Sequence, residues 1–264
     1  MLKFRMLFVV AGIFFSVISA LGEGAPAVEA LKSSLSIDYA GRAPREWSEN
    51  VRGVRTRLKT DDKVIALTLD ACGSAKGKGY DKALIEFLIR ERIPATLFMN
   101  ARWIDANPAV FRELAANPLF EIANHGLLHK PASVTGRSVY GIKGTATVAE
   151  LVDEIEGNAI KIMQLTGKRP RYYRSGTAYY DEIAVEISQR LKHEVIGFSI
   201  LGDAGATLPK NKVRDALLSA RGGDIAILHM NHPEGGTAAG VIMAIPQLKR
   251  RGFKFVKLHD YQLK

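Results

Sequence analysis

One cysteine, Cys72, stands among 264 residues. That excludes an internal disulfide framework and leaves burial to stabilise the fold, which a chain of this length can do. Internal repeats and low-complexity tracts are absent, which excludes solenoid and propeller architectures. Dense basic tracts are missing too. The formal charge is +10, yet Lys and Arg are scattered without interleaved aromatics. The surface therefore suits anionic neighbours such as acidic polymers or headgroups, and nucleic-acid binding is not expected.

A run long enough to span a membrane, roughly 20 apolar residues, is also lacking. The apolar run from Met6 to Ala20 follows Lys3 and Arg5 and leads into Gly22, Gly24, Ala25 and Ala27. That order reads as a secretory signal over residues 1–22, or as an uncleaved signal anchor. The mature chain is expected outside the cytoplasm, in the periplasm, the cell envelope or the medium, with no stable membrane insertion unless the signal stays uncleaved. Residues 23–61 read as a connector, a tether or an N-terminal wrap, and residues 62–264 as the folded domain.

What the domain has is alternation of strand and helix. Val64–Leu69, Ala95–Met99, the residues before His125, Tyr172–Arg174, Val195–Leu201, Asp224–His229 and Lys254–Leu258 read as strands. Helices are expected over 82–92, 108–116, 147–166, 180–192, 212–220 and 238–251, the last interrupted near Pro246. Thr147 followed by Glu150 predicts a capping box. Continuous apolar strands separated by helices belong to a parallel sheet covered on both faces. About seven such units in 200 residues favour an α/β barrel over an open sheet.

In such folds reactive groups sit at the C-terminal ends of strands. Asp70, His125, Arg174, Asp203 and His229 fall there. His125 and His129 are four residues apart, the spacing that puts two imidazoles on one face of a helical turn, where they can share an ion. Trp103, Tyr179, Tyr180 and His232 are further candidates for contact with a ligand.

The motifs in order resemble the polysaccharide deacetylases of the NodB homology domain, carbohydrate esterase family 4. Thr68-Leu69-Asp70-Ala71-Cys72-Gly73 matches its Thr-Phe-Asp-Asp-Gly, and Asn124-His125-Gly126-Leu127-Leu128-His129 its His-x-x-x-His. Arg174-Ser175-Gly176-Thr177 matches its Arg-Pro-Pro-Tyr, Phe198 to Asp203 is a degenerate Trp/Asp motif, and Ala226-Ile227-Leu228-His229 matches its Leu-x-Leu-His. The resemblance implies a distorted (β/α)7-type barrel and a secreted hydrolase. Such an enzyme removes N-acetyl or O-acetyl groups from polysaccharide such as peptidoglycan or chitin-like oligomers. It further implies a divalent metal, zinc above others, on His125 and His129. Asp70 would be the general base, oriented by Arg174, and His229 the general acid, paired with Asp203. The family's metal-binding aspartate aligns with Ala71, which cannot coordinate. Asp70, Cys72 or water could supply the third ligand, and an inactive glycan-binding protein on the same fold is the alternative.

Overall fold

The computed structural model describes residues 24–264, so the expected signal segment 1–22 lies outside them. In chain order the elements are α1 (Gly24–Asp38), β1 (Val64–Ala71), α2 (Lys82–Arg90), β2 (Ala95–Met99), α3 (Ala101–Ala106), α4 (Pro108–Ala116) and β3 (Phe120–Asn124). A small hairpin follows, β4 (Ser138–Val139) and β5 (Ile142–Lys143), then α5 (Val148–Thr166), β6 (Tyr172–Tyr173), α6 (Glu182–Arg190), β7 (Glu194–Val195) and β8 (Ile200–Leu201). The last are α7 (Lys210–Leu218), β9 (Asp224–His229), α8 (Thr237–Arg250) and β10 (Lys254–Val256). Among the described residues no helix is long and apolar enough to cross a membrane.

The main sheet has the order β7-β6-β3-β2-β1-β9-β8, every pair parallel, with β10 beside the start of β1. β1 lies at the centre and is buried along its whole length, as its unbroken apolar run requires. Its side chains alternate between two cores, as strand geometry dictates. Ile65, Leu67, Leu69 and Ala71 pack under α2 and α8 with Leu84, Leu88, Val241 and Leu248. Val64 and Ala66 face the barrel interior with Phe98, Ala123, Tyr172 and Ile225.

The expected distorted barrel is present, curled and incomplete. Its edge strands β7 and β8 are consecutive in the chain, joined by residues 196–199. Val195–Leu201 is therefore not one strand, as the sequence suggests, but two short ones at opposite ends of the sheet. The chain before β1 fills the gap: Arg55 pairs with Ile196 and Arg57 with Asp224. Gly197 lets it approach, since a Cβ there would meet Val54 Cγ1 at 2.9 Å.

Other differences from the sequence reading have local causes. Residues 24–38, weakly periodic in sequence, form α1, whose Leu35 packs against Leu151, Val152 and Ile155 of α5. α3 begins at the Asn100 N-cap, whose side chain accepts from Arg102 N–H. α8 runs through Pro246 without interruption; the helix gives up one backbone bond there. The capping box at Thr147 is half formed. Its hydroxyl accepts from Glu150 N–H, but the Glu150 carboxylate accepts from Ala146 N–H, one residue earlier than expected.

Candidate functional site

The C-terminal ends of β1, β3 and β9 bring the chemistry together. Asp70 and His229 are direct partners across the β1–β9 ladder. His125 follows the last residue of β3. Asp70 and His229 edge a cleft of roughly 490 Å³ that also exposes Cys72, His129, Phe198, Leu201 and His232, while His125 is buried beside it.

Asp70 is buried and held from one side. Arg174 Nη1 donates to its Oδ1 at 2.6 Å, while Oδ2 faces His125 Nε2 at 3.6 Å. Arg174 has little freedom of its own. Its Nε and Nη2 donate to the carbonyls of Ile196 and Gly197, and its guanidinium lies 4.2 Å from the centre of the Phe98 ring. The guanidinium is thus spent on fixing one carboxylate rather than on binding a ligand.

The two histidines do meet, with ring centroids 4.9 Å apart and planes at 87°. The helical turn expected to bring them together is not there. Residues 125–130 form a loop, and His129 has a left-handed backbone, φ 63°. Buried polar groups that carry no motif hold this loop. Glu154 of α5 accepts from the N–H groups of Leu128 and Lys130 at 2.8 and 3.0 Å. Asn100 Nδ2 donates to the carbonyls of His125 and Gly126. Asn124 Oδ1 accepts from Gly126 N–H and from Asn158. Gly126 has φ 77°, and a Cβ there would lie 2.3 Å from Glu154 Oε1. Burial pushes the Glu154 carboxyl up to about 7, against the pull of those N–H donors. Its one sequence signal is that Glu154 and Asn158, four apart, interrupt the apolar face of α5.

The donor set fits a metal ion. His125 Nδ1 lies 3.0 Å from the Arg174 carbonyl. A carbonyl only accepts, so Nδ1 carries the proton and Nε2 presents its lone pair on the side of Cys72 and Asp70. His129 Nε2 is buried and has no hydrogen-bond partner. Cys72 Sγ lies 3.8 Å from His125 Nε2. The ligand atoms of Cys72, His125 and His129 all fall within 4.8 Å of one another. Burial alone would push the Cys72 thiol up, but the imidazoles of His129, His125 and His229 outweigh it and hold it well below the usual thiol range.

Ala71 lies on the other face of β1 from Asp70. Its methyl group is fully buried in the core under α2 and α8, on the face of β1 away from the histidines. Strand alternation turns Cys72, not Ala71, to the side of Asp70. The missing carboxylate thus leaves no gap at position 71.

On the far side, Asp203 Oδ1 lies 2.8 Å from His229 Nδ1, and Oδ2 accepts from His229 N–H and the Thr237 hydroxyl. Burial opposes a charged imidazole, but Asp203 beside it raises His229 well above the ordinary histidine value. The same contact, against the opposing effect of burial, lowers Asp203. Trp103 and Tyr180 are wholly buried, so neither can stack on a ligand. Tyr179 is half-buried between Trp47 and the exposed Tyr140 of the β4–β5 turn, each ring centroid 5.7 Å from its own. His232 lines the cleft, tied to Glu234 at 2.8 Å.

Comparison with known proteins gives this arrangement a family. The model of the family described as polysaccharide deacetylase matches residues 57–196. A peptidoglycan-N-acetylglucosamine deacetylase of Bacillus cereus is 22% identical over 215 residues, 78% of this chain and 92% of the relative. Among solved structures, a carbohydrate esterase family 4 pseudoenzyme from Bacillus anthracis superposes with a TM-score of 0.64 at 20% identity, covering 78% of this chain and 67% of that one. A family 4 acetyl xylan esterase from Clostridium thermocellum, solved with a cobalt ion, gives 0.58 at 21% identity, covering 75% and 89%. These structures share the half-barrel of parallel strands. With its family model matched over more than half of its length, the chain belongs to the polysaccharide deacetylase family, hydrolases acting on carbon–nitrogen bonds other than peptide bonds.

Proposed function

We propose that this protein is an exported, metal-dependent deacetylase that removes N-acetyl groups from a polysaccharide such as peptidoglycan or chitin-like oligomers. The observation that carries the reading is the ladder pair Asp70 and His229, a carboxylate and an imidazole at one level of adjacent strands, beside a converging set of metal donors. Export rests on the charged and apolar order of residues 1–22, and the glycan on the name of the Bacillus cereus relative.

His125 and His129 would hold a divalent ion, zinc or cobalt in keeping with imidazole donors. Such an ion supplies Lewis acidity toward the acetyl carbonyl. Asp70 keeps Oδ2 free while Arg174 holds Oδ1, so Oδ2 takes the proton of the attacking water. His229 carries a proton on Nε2 and gives it to the leaving amine. Asp203, bonded to Nδ1, fixes the ring and favours the charged form that donates.

A second reading is an inactive glycan-binding protein. It draws on the pseudoenzyme among the structural relatives and on Asp70 being the one carboxylate among the described residues that faces His125. Acetate release from a panel of acetylated glycans, with and without chelator, separates the two. Asp70→Asn should lower turnover by roughly 10²–10⁴-fold in protein that still holds its metal. Full turnover in that metal-loaded variant would remove the mechanism. Absence of acetate from every glycan, with metal bound, would favour the binding protein.

A further inference from the structure

Cys72 is the only cysteine of the chain, and it follows directly on the central strand, whose last residue is Ala71. Alternation sends Ala71 into the core and brings Asp70 and Cys72 out together beside His125, at 3.6 and 3.8 Å from Nε2. The two do not have equal claims on an ion. Asp70 Oδ1 is taken by the buried Arg174, whose positive charge opposes a cation at that carboxylate. The Cys72 thiol has no guanidinium on it; its neighbours are the imidazoles of His125, His129 and His229. Its sulfur, His125 and His129 are the group of three potential ligands found among the described residues, and Asp70 is not in it.

The distances suit coordination rather than chance proximity. A sulfur and an imidazole nitrogen bound to one tetrahedral zinc sit about 3.6 Å apart, given ordinary Zn–S and Zn–N bond lengths. Here they are 3.8 Å apart. The unpartnered His129 Nε2 is an independent sign, because a buried imidazole nitrogen without a hydrogen bond is costly unless something binds it. Three protein donors are also the number that catalytic zinc sites employ.

We infer that Cys72 replaces the family's metal-binding carboxylate, so that the metal is held by one thiolate and two imidazoles and Asp70 remains a base outside the ligand set. The inference rests on the metal-dependent reading above. A sulfur donor changes which ions the site accepts: it favours zinc and cobalt over magnesium, manganese and calcium, which prefer oxygen. It also makes the metal-free site open to thiol chemistry, since Cys72 is part-exposed at the cleft.

The test is optical. The metal-free protein is loaded with one cobalt(II) per chain, and its near-ultraviolet absorption is recorded. A thiolate-to-cobalt charge-transfer band is expected in the unaltered protein and in Asp70→Asn. The band should vanish in Cys72→Ser, with zinc bound on the order of 100-fold more weakly. Cys72→Asp should recover zinc affinity without the band. Alkylation of Cys72 by iodoacetamide, measured by mass spectrometry on the unaltered protein, should be blocked by zinc and restored by chelator. Stoichiometric cobalt without the band, or unprotected alkylation in zinc-loaded protein, would overturn the inference even if Cys72→Ser fails to fold. The two readings fail separately. The band without acetate release removes the deacetylase and keeps the ligand set. Chelator-sensitive acetate release without the band does the reverse.

Discussion

Asp203 and His229 lie 2.8 Å apart, and this pair sets how the activity should depend on pH. Donation needs the imidazolium, which is lost as pH rises through its pKa. Asp203 raises that pKa well above the ordinary histidine value. The alkaline fall of kcat should therefore lie well above the pH where an ordinary histidine, about 6.5, loses its proton. Asp203→Asn removes the attraction, lowers the pKa and should move that limb toward acid. A pH–rate profile of the two proteins checks this, and an unmoved limb would show that His229 is not the donor. At position 71 the side chain belongs to the core. Restoring the family's carboxylate with Ala71→Asp should not tighten metal binding, because the new group would point into the apolar core. It should cost on the order of 4 kcal/mol of stability or more, read from denaturant unfolding, with zinc affinity unimproved in whatever folds.

At the scale of elements, the ligand loop after β3 depends on α5. Glu154 takes up two loop N–H groups, and the left-handed backbone at His129 is a conformation that costs roughly 1 kcal/mol or more unless its surroundings impose it. Glu154→Ala leaves two part-buried donors without their acceptor and should cost about 1–3 kcal/mol. Glu154→Gln keeps an acceptor and should cost less. The same ranking is expected in zinc affinity, measured by competition with a chromophoric chelator, because the loop carries His129. Equal affinities in the two variants would mean that the loop holds its shape without α5. The bland appearance of Glu154 in the sequence has a physical reason. A carboxylate on a helix reads as solvated, and only the packing of α5 against β3 makes it an acceptor for a loop some 25 residues away in the chain.

For the whole molecule, the chain before β1 is part of the fold. α1 lies on α5, with Lys32 bonded to Asp153 at 2.6 Å. Glu182 of α6 accepts from the N–H groups of Arg45 and Glu46. Arg55 and Arg57 close the side of the barrel where β7 and β8 do not pair. Leu35 is 2% exposed, so Leu35→Ala should destabilise the protein by about 2–4 kcal/mol. A change within a few tenths of a kcal/mol in thermal or denaturant unfolding would show that α1 packs loosely on the barrel.

The sequence by itself determined the strand–helix alternation, because apolar runs and helical stripes are local patterns that burial enforces wherever they occur. It also determined which polar residues end the strands, since Asp70, Arg174 and His229 each follow an apolar run directly and His125 follows one with only Asn124 between. Tertiary structure alone decided what spans the gaps between those segments. The split of Val195–Leu201 into two edge strands is set by barrel closure and by Arg55 lying against Gly197, neither of which leaves a mark on local periodicity. The meeting of His125 and His129 came from a left-handed loop residue held by Glu154, not from the helical spacing that first pairs them. The third donor was the least legible of all. Aligned motifs point to Ala71, whereas the extra residue of β1 turns that side chain into the core and brings the sulfur of Cys72 to the histidines, an outcome fixed by where the strand ends.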